Sequence, residues 1–343
     1  MDPVTHALAS LTLARARPAP LPRFGTTMMV VAGVAPDLDY ASYFGGAGAF
    51  LRYHRTLLHS IPAATLLSCT VAGAFLLLAN KKKDAKDPPA AAIPLTFATA
   101  FTACAVGAAG HILLDLASGE GMQLLWPFRV HWTAGGLVAN FDLWVLVLLL
   151  AGLLIPQLFR LVGDEIGARK KGAQGTGAAI FTLLLLALYF GSRADLHSRA
   201  TGLLLSSEYH GREPLAAGAF PSSVNPLDWR GVVATDNTVE EVDVPLGPRA
   251  DFQPEASLTR YKPQESPALD AAQKTSAAQA FLNYAEFPLA SVSRHEDGYR
   301  FDLRDARFPD SDASPANIVV RVDLNGGYQV TRQQFRYASS SNP

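Results

Sequence analysis

The hydrophobic and polar positions divide the chain into two parts of different character. Up to about residue 194, apolar blocks alternate with short polar loops, whereas the remainder mixes charged and apolar positions as water-soluble segments do. A helix needs about 20 apolar residues to cross the hydrocarbon core of a bilayer. Four blocks have this length, at residues 57–79, 90–116, 137–161 and 176–190 with its flanks. The pattern predicts an α-helical, polytopic membrane domain over residues 1–194.

Two earlier blocks, at residues 3–14 and 26–43, are shorter or are interrupted by Pro36 and by acidic residues. Because a short segment cannot cross the bilayer alone, we predict partial or re-entrant helices here. Asp2 followed by Pro3 favours a helix that begins at residue 3, since aspartate accepts from free N–H groups and proline has none to leave unpaired. About six membrane segments are expected, the first two of them partial.

A small soluble α+β domain is predicted over residues 227–337, after a helix and a Pro- and Ala-rich linker at 195–226. Strand-like runs lie at 229–235, 238–244, 299–308, 317–324 and 328–337. One helix is expected near residues 267–284. The Asn-Gly-Gly turn at 325–327 separates two alternating runs and predicts a β-hairpin. A flexible tail is expected at 338–343.

Basic residues predict the orientation of the membrane domain. Lys81, Lys82, Lys83 and Lys86 follow the third block, and Arg169, Lys170 and Lys171 follow the fifth. Loops rich in Lys and Arg stay in the cytoplasm, and counting from them also places Arg15, Arg17 and Arg23 there. The segments around 37–59 and 115–136, and the soluble domain from Asp195 onward, are therefore expected on the non-cytoplasmic side.

Charge, cysteines and motifs exclude several classes of function. The net charge of -1, without a long basic cluster, argues against binding to nucleic acid. Cys69 and Cys104 lie inside apolar blocks, which favours a packing role over a disulfide or a zinc site. The sequence has no GxSxG elbow, P-loop or dinucleotide fingerprint, so serine catalysis and nucleotide binding are not expected.

Potential metal ligands concentrate near the ends of the apolar blocks. They are His6, Asp37, Asp39, His54, His59, His111 and Asp115. A charged side chain near hydrocarbon costs about 2.5–3.5 kcal/mol or more, so such residues normally have a partner or a functional task. In the predicted topology all seven face the same side, which indicates one metal site at the membrane surface.

The local spacing of these residues supports a common site. His111 and Asp115 are four residues apart on a predicted helix, so their side chains project from one face. Asp37 and Asp39 follow a proline, where a non-helical backbone can direct both carboxylates into the site.

The third block begins with two further histidines, His54 and His59, with Arg55 between them. Arg55, or the nearby Arg52, is a candidate for holding an anionic group. Weaker candidates on the same side, which lack paired spacing and could instead meet substrate, are His131, Asp142 and Glu120. His197, His210 and His295 have no ligand partners nearby in the sequence and are expected to be surface residues of the soluble domain.

Histidine nitrogen and carboxylate oxygen together suit zinc, manganese or iron better than calcium, and zinc is the leading choice. Seven ligands exceed the three of a mononuclear catalytic site, so one or two ions are expected, with Asp115 as the natural bridge. Such ions activate water for hydrolysis. We expect Asp39, Asp115 and Arg55 to act in catalysis.

Four short motifs, "MDPVTHALAS", "GVAPDLDY", "YHRTLLHS" and "GHILLDL", resemble the YdjM-like inner-membrane metal-dependent hydrolases, also described as LexA-binding, over residues 1–160. That family is distantly similar to zinc-dependent phospholipase C and P1 nuclease, which implies a helical metal site and phosphoester hydrolysis. It also implies a multi-pass protein of the bacterial inner (plasma) membrane. The matching positions are His6, Asp37, Asp39, His54, His59, His111 and Asp115. No downstream HxxxE pair follows, which argues against a third metal.

The leading hypothesis is a membrane-bound, metal-dependent phosphoesterase whose substrate is a small molecule or a lipid, reached from the non-cytoplasmic leaflet. The alternative is a non-catalytic membrane protein with a structural metal and a soluble domain that binds a partner. A metal-ion transporter is a third class, but it would need ligands near the bilayer midplane, whereas these candidates lie at helix ends.

Overall fold

The computed structural model describes residues 1–17, 19–81, 93–165, 175–249, 251–310 and 314–338. The chain forms two compact units. Unit 1 comprises Met1–Leu38 and Arg55–Ala194, and unit 2 comprises Asp39–His54 and Asp195–Pro343. The basic residues from Lys82 to Lys86 and from Arg169 to Lys171, and the predicted tail after residue 338, lie outside the described residues.

Helices dominate the N-terminal part of the chain. They are α1 (Pro3–Arg15), α2 (Gly25–Val34), α3 (Ala47–Tyr53), α4 (Ile61–Lys81), α5 (Phe97–Ala117), α6 (Leu143–Glu165) and α7 (Thr176–Leu205). A 3-10 helix at Ala35–Gly45 follows α2 directly. Helix α3 belongs to unit 2, and the boundary between the units falls within α7.

Four of these helices are long and apolar enough to cross a membrane. Within the described residues the candidate spans are Ile61–Ala79, Phe97–Ala117, Leu143–Val162 and Thr176–Leu205. Many of their large apolar side chains, such as Leu66 and Phe159, are exposed on the protein surface, as lipid-facing residues are. The four long apolar helices that were predicted are present. The count of about six membrane segments is not confirmed, and α1 and α2 have only 13 and 10 residues.

The start of α1 follows the sequence prediction. The Asp2 carboxylate accepts a hydrogen bond from the Thr5 backbone N–H at 3.0 Å, and Pro3 occupies the first helical position. The predicted segment at 26–43 is instead divided, since α2 gives way to the 3-10 helix at the residue before Pro36. Pro36 has no N–H to continue the hydrogen-bond ladder of α2, which accounts for the end of the α-helix at this point, although Ala35 keeps a right-handed helical backbone.

Glycines allow α1, α2 and α5 to approach closely. A Cβ at Gly107 of α5 would lie 2.1 Å from the Met29 carbonyl oxygen, and a Cβ at Gly33 of α2 would lie 2.0 Å from the Ser10 hydroxyl. Only glycine fits in such contacts. Because α2 lies against α5 here, the end of α2 reaches the turn of α5 that carries His111.

Unit 2 is built around two antiparallel, four-stranded sheets. The first has the order β1 (Ala216–Pro221), β2 (Asp228–Ala234), β3 (Thr238–Pro245) and β4 (Leu258–Tyr261). The second has the order β5 (Pro288–His295), β6 (Gly298–Asp305), β7 (Ile318–Asn325) and β8 (Val330–Tyr337). Val232 of the first sheet shares one buried cluster with Leu289 of the second sheet and with Phe287, the residue before β5. The predicted hairpin at 325–327 is the connection between β7 and β8.

Several elements of unit 2 differ from the sequence prediction. Strands β1, β4 and β5 were not expected, and β1 lies within the predicted linker. The Ala- and Gly-rich sequence of β1 has low strand propensity. Its extended conformation is therefore stabilised by the pairing with β2. The single helix expected near 267–284 is two short ones, α8 (Pro267–Gln273) and α9 (Ser276–Leu282). Thr275 separates them by capping α9, accepting from the Ala278 N–H at 3.2 Å.

The glycine contact between α2 and α5 generates a stability prediction. Gly107→Ala should lower the free energy of unfolding by about 1–3 kcal/mol, because the new methyl group has no space beside the Met29 carbonyl. Gly73→Ala in α4 is the matched control, since a Cβ there has nothing within 4 Å. Thermal unfolding of the detergent-purified protein measures both. Equal melting temperatures for the two variants would show that the contact is not close-packed.

Candidate metal centre

The last two turns of α5 present two side chains to a buried site. His111 and Asp115 are four residues apart, and both are buried. Asp115 Oδ2 lies 3.1 Å from His59 Nε2 and 3.4 Å from His111 Nε2. One carboxylate oxygen therefore faces two imidazoles, one from its own helix and one from the segment before α4.

The other oxygen of Asp115 faces positive or polar groups. Asp115 Oδ1 lies 3.2 Å from His6 Nε2 and accepts from Arg55 Nη2, also at 3.2 Å. The amino group of Met1 contacts the same oxygen. The Asp115 carboxylate is thus the common neighbour of the side chains that gather here.

Helix α2 fixes the tautomer of His111. The His111 Nδ1 atom lies 2.9 Å from the carbonyl oxygen of Gly33, which can only accept a hydrogen bond. The proton of the neutral ring therefore sits on Nδ1, and Nε2 keeps its lone pair. A backbone carbonyl that orients histidine in this way is typical of metal-ligating imidazoles.

Four residues form a group that could hold a metal ion. His6, Asp37, His111 and Asp115 each offer one ligand atom, and these atoms lie within 4.8 Å of one another. All four residues are buried. Asp37 Oδ1 is also 4.0 Å from Nε2 of His59, which places a fifth predicted ligand at the edge of the group.

The donor atoms of this group fit a cation. Among the described residues, Asp37 Oδ2, His111 Nε2 and Asp115 Oδ2 are buried and meet no partner in hydrogen-bond geometry. Buried polar atoms without such partners are costly, and a cation bound between two carboxylates and two imidazoles would satisfy them. The metal itself is not identified by this geometry.

Burial sets the protonation of the two donors outside the membrane spans. Burial lowers the pKa of His6 to about 3, so its imidazole is neutral at physiological pH and has a lone pair available. Burial raises the pKa of Asp37 to about 6, and the nearby His111 opposes that rise. A proton therefore competes with a cation for the Asp37 carboxylate more strongly than at an exposed aspartate.

Arg55 links the cluster to the segment that follows α5. Its backbone adopts the left-handed conformation, with φ of 56°, and its side chain is buried. Besides Asp115, the guanidinium donates to the Ser118 hydroxyl at 2.8 Å and lies 3.3 Å from Glu120 Oε2. The Arg55 carbonyl accepts from the Gln123 N–H at 3.0 Å. The predicted anion-binding side chain is therefore held by protein groups in this structure.

Asp39 and His54 belong to unit 2, and they bond to each other. His54 Nδ1 lies 3.0 Å from Asp39 Oδ1, and the imidazole stacks on the ring of Phe50 at 4.2 Å. The structure thus brings His6, Asp37, His59, His111 and Asp115 together in unit 1, with Arg55 beside them. The other two predicted ligands, Asp39 and His54, belong to unit 2 and contact each other there.

The weaker candidates have different surroundings. Glu120 contacts Arg55 and Asn140, so it takes part in the site. The sequence made it only a weak candidate, because it has no second potential ligand at a paired spacing. Asp142 accepts from the Val145 N–H at 3.1 Å and thereby caps the start of α6, which is a structural role. His131 is exposed on the loop before α6.

Comparison with known proteins places this membrane domain in a family. The model of the YdjM inner membrane protein family matches residues 1–197, and the chain belongs to that family. The family description and the four apolar helices together indicate a membrane location.

One curated relative is an uncharacterized protein, YfhP, from Bacillus subtilis (strain 168). The two sequences are 27% identical over 121 residues, which is 35% of this chain and 33% of YfhP. The chain therefore matches only about a third of that protein's length. No solved structure matches the chain.

The geometry predicts that metal binding depends on His111. His111→Ala removes one of the four central ligand atoms, so the purified protein should lose its bound divalent metal in elemental analysis. His295→Ala, on an exposed edge strand of unit 2, is the control and should retain it. Equal metal content in the two variants would mean that the ion is bound elsewhere.

The raised pKa of Asp37 predicts a pH dependence. A folded-state pKa of about 6 leaves the carboxylate mostly ionised at pH 7 and mostly protonated at pH 5. Metal affinity should therefore fall by about tenfold or more between these values, because protons compete for the ligand. Metal titrations at both pH values measure the change. Asp37→Asn, which cannot titrate, should show a smaller fall, and an equal fall would assign the effect to other groups.

Proposed function

We propose that this member of the YdjM inner membrane protein family is a metal-dependent hydrolase that acts on a phosphoester. The observation that carries the proposal is the buried group of His6, Asp37, His111 and Asp115, whose donor atoms lie within 4.8 Å of one another. Burying several ionisable side chains at the end of an apolar helix is energetically costly. Such groups therefore commonly mark a functional site. Metal-assisted hydrolysis is the reaction class that this donor set supports best.

Zinc is our first choice of cation, with manganese or iron as alternatives, because two imidazoles and two carboxylates form a mixed nitrogen and oxygen set. The four residues of the group would hold one ion. His59, which lies beside Asp115, could help to hold a second ion. An ion bound by these residues would supply Lewis-acid activation of water and would neutralise charge on a phosphoryl group.

The chain's own residues would orient and balance this centre. The Gly33 carbonyl keeps the Nε2 lone pair of His111 directed to the group. Arg55 holds Asp115 in place and adds a positive charge beside it, which would favour an anionic substrate. Catalytic roles for Asp115 and Arg55 are part of the proposal.

Asp39 and His54 contact each other within unit 2. The catalytic role of Asp39, and metal binding by Asp39 and His54, stay predictions from the sequence.

The substrate is proposed to be a phosphoester reached from the non-cytoplasmic side, with a lipid as one candidate and a small soluble molecule as the other. The positive-inside pattern supports the same side for the soluble domain, as the sequence predicts. There it could bind a protein partner of unknown identity, and no nucleic acid is expected. The similarity to zinc-dependent phospholipase C and P1 nuclease, and the LexA-binding description, stay predictions.

A structural metal is the second candidate, and the burial of the group favours it. His59, His111 and Asp115 are almost completely inaccessible to solvent in this structure, whereas a catalytic metal must keep a position open to water and substrate. In that case the centre would tie α1, α2 and α5 together without turning over a substrate.

Hydrolysis by the purified protein tests the proposal. Wild type with zinc or manganese should cleave a nitrophenyl phosphodiester or a lipid phosphoester, and a chelator should stop the reaction. His111→Ala should lose more than about a hundredfold in rate, because even residues that merely orient metal ligands account for 10–100-fold. His295→Ala, far from the group in sequence, should keep the wild-type rate.

Two other outcomes would decide against the hydrolase. Stoichiometric metal in the wild type without cleavage of any phosphoester would favour the structural centre. Absence of bound metal after reconstitution with each candidate ion would end both proposals.

A further inference from the structure

The loop between α5 and α6 carries large apolar side chains on its surface. Phe128 is 82% exposed, Val130 is 69% exposed and Leu125 is 44% exposed. Adjacent exposed apolar side chains of this size mark a surface that meets another molecule or a membrane. We call residues 124–133 the 124–133 loop.

Hydrogen bonds place this loop beside the entrance of a membrane span. The Leu124 carbonyl accepts from the N–H of Ile61 at 2.9 Å, and Ile61 is the first residue of the candidate span of α4. The Gln123 N–H donates to the Arg55 carbonyl just before that span. The loop is therefore fixed at the first residue of α4, where this helix would enter a bilayer if it spans one.

A cleft in the loop combines basic and apolar side chains. Its volume is about 500 Å³, and it is lined by Leu124, Leu125, Arg129, Val130, His131 and Thr133. Among the described residues, the side chains of Arg129 and His131 have no hydrogen-bond or ionic partner. None of these six lining residues, all in the described part of the chain, carries a carboxylate. Two unpaired N–H donor groups beside an apolar wall complement a phosphate that is attached to a hydrocarbon chain.

We propose that the 124–133 loop is a phospholipid-binding surface. Arg129 and His131 bind the phosphate of a membrane phospholipid, while Phe128 and Val130 enter the acyl region beside α4. The occupant is a membrane lipid rather than a free anion, because the basic groups share their cleft with apolar side chains at the start of a span. This binding does not require the metal centre to be hydrolytic.

Lipid affinity tests the basic half of the surface. The purified full chain in neutral detergent is titrated with phosphatidylglycerol, and bound lipid is counted by native mass spectrometry. Arg129→Ala should weaken binding roughly fivefold, as expected for one basic residue at a lipid surface, and Arg129→Ala with His131→Ala should weaken it further. Arg17→Ala is the matched control, since Arg17 is also exposed without an ionic partner in the described structure but lies after α1.

The depth of the loop tests its apolar half. A nitroxide placed by Phe128→Cys, in a chain with Cys69→Ala and Cys104→Ala and reconstituted into vesicles, should be more accessible to oxygen than to a water-soluble nickel chelate. Tyr328→Cys, on the β7–β8 turn, is the control and should show the reverse.

Three results would overturn the proposal. The first is equal lipid affinity in Arg129→Ala and the wild type, or an equal loss in Arg17→Ala. The second is displacement of the lipid by glycerophosphate at the same concentration as by phosphatidylglycerol, which would assign the cleft to a soluble phosphate compound. The third is a Phe128→Cys label that behaves like the Tyr328→Cys label, which would leave the apolar patch for a protein partner.

Discussion

The architecture of the membrane domain depends on the burial of one carboxylate. Asp115 is inaccessible to solvent at the end of an apolar helix, where an isolated charge would be unfavourable by several kcal/mol, on the order of the full stability of a small domain. Its two oxygens are compensated by groups from distant parts of the chain, including His6, Arg55 and His59. The need to compensate this charge explains why α1, the segment before α4 and the end of α5 converge on one point.

Close packing of small residues makes that convergence possible. Gly33 and Gly107 let α2 approach α5 until the Gly33 carbonyl can orient His111. The same backbone contact thus serves helix packing and the chemistry of the site. Since the 3-10 helix begins directly after α2, it carries Asp37 to the group. Sequence changes far from the cluster, in the crossing of α2 and α5, are therefore expected to alter the site.

The sequence predicted the four long helices and most of the cluster, because apolar length and the four-residue spacing of His111 and Asp115 are local signals. It could not predict the role of the Gly33 carbonyl, since backbone atoms carry no sequence signature. The sequence also could not predict that Asp37 and Asp39 belong to different compact units, because they are only two positions apart. Strand β1 was not predicted, because its Ala- and Gly-rich residues have low strand propensity and its extended conformation depends on pairing with β2.

X-ray absorption spectroscopy of the protein reconstituted with zinc measures the central claim most directly. Binding by the group around Asp115 predicts a first shell of mixed nitrogen and oxygen donors that includes at least two imidazoles. A shell of oxygen donors alone, or one with a single imidazole, would contradict this account, because the ion would then be held by other residues.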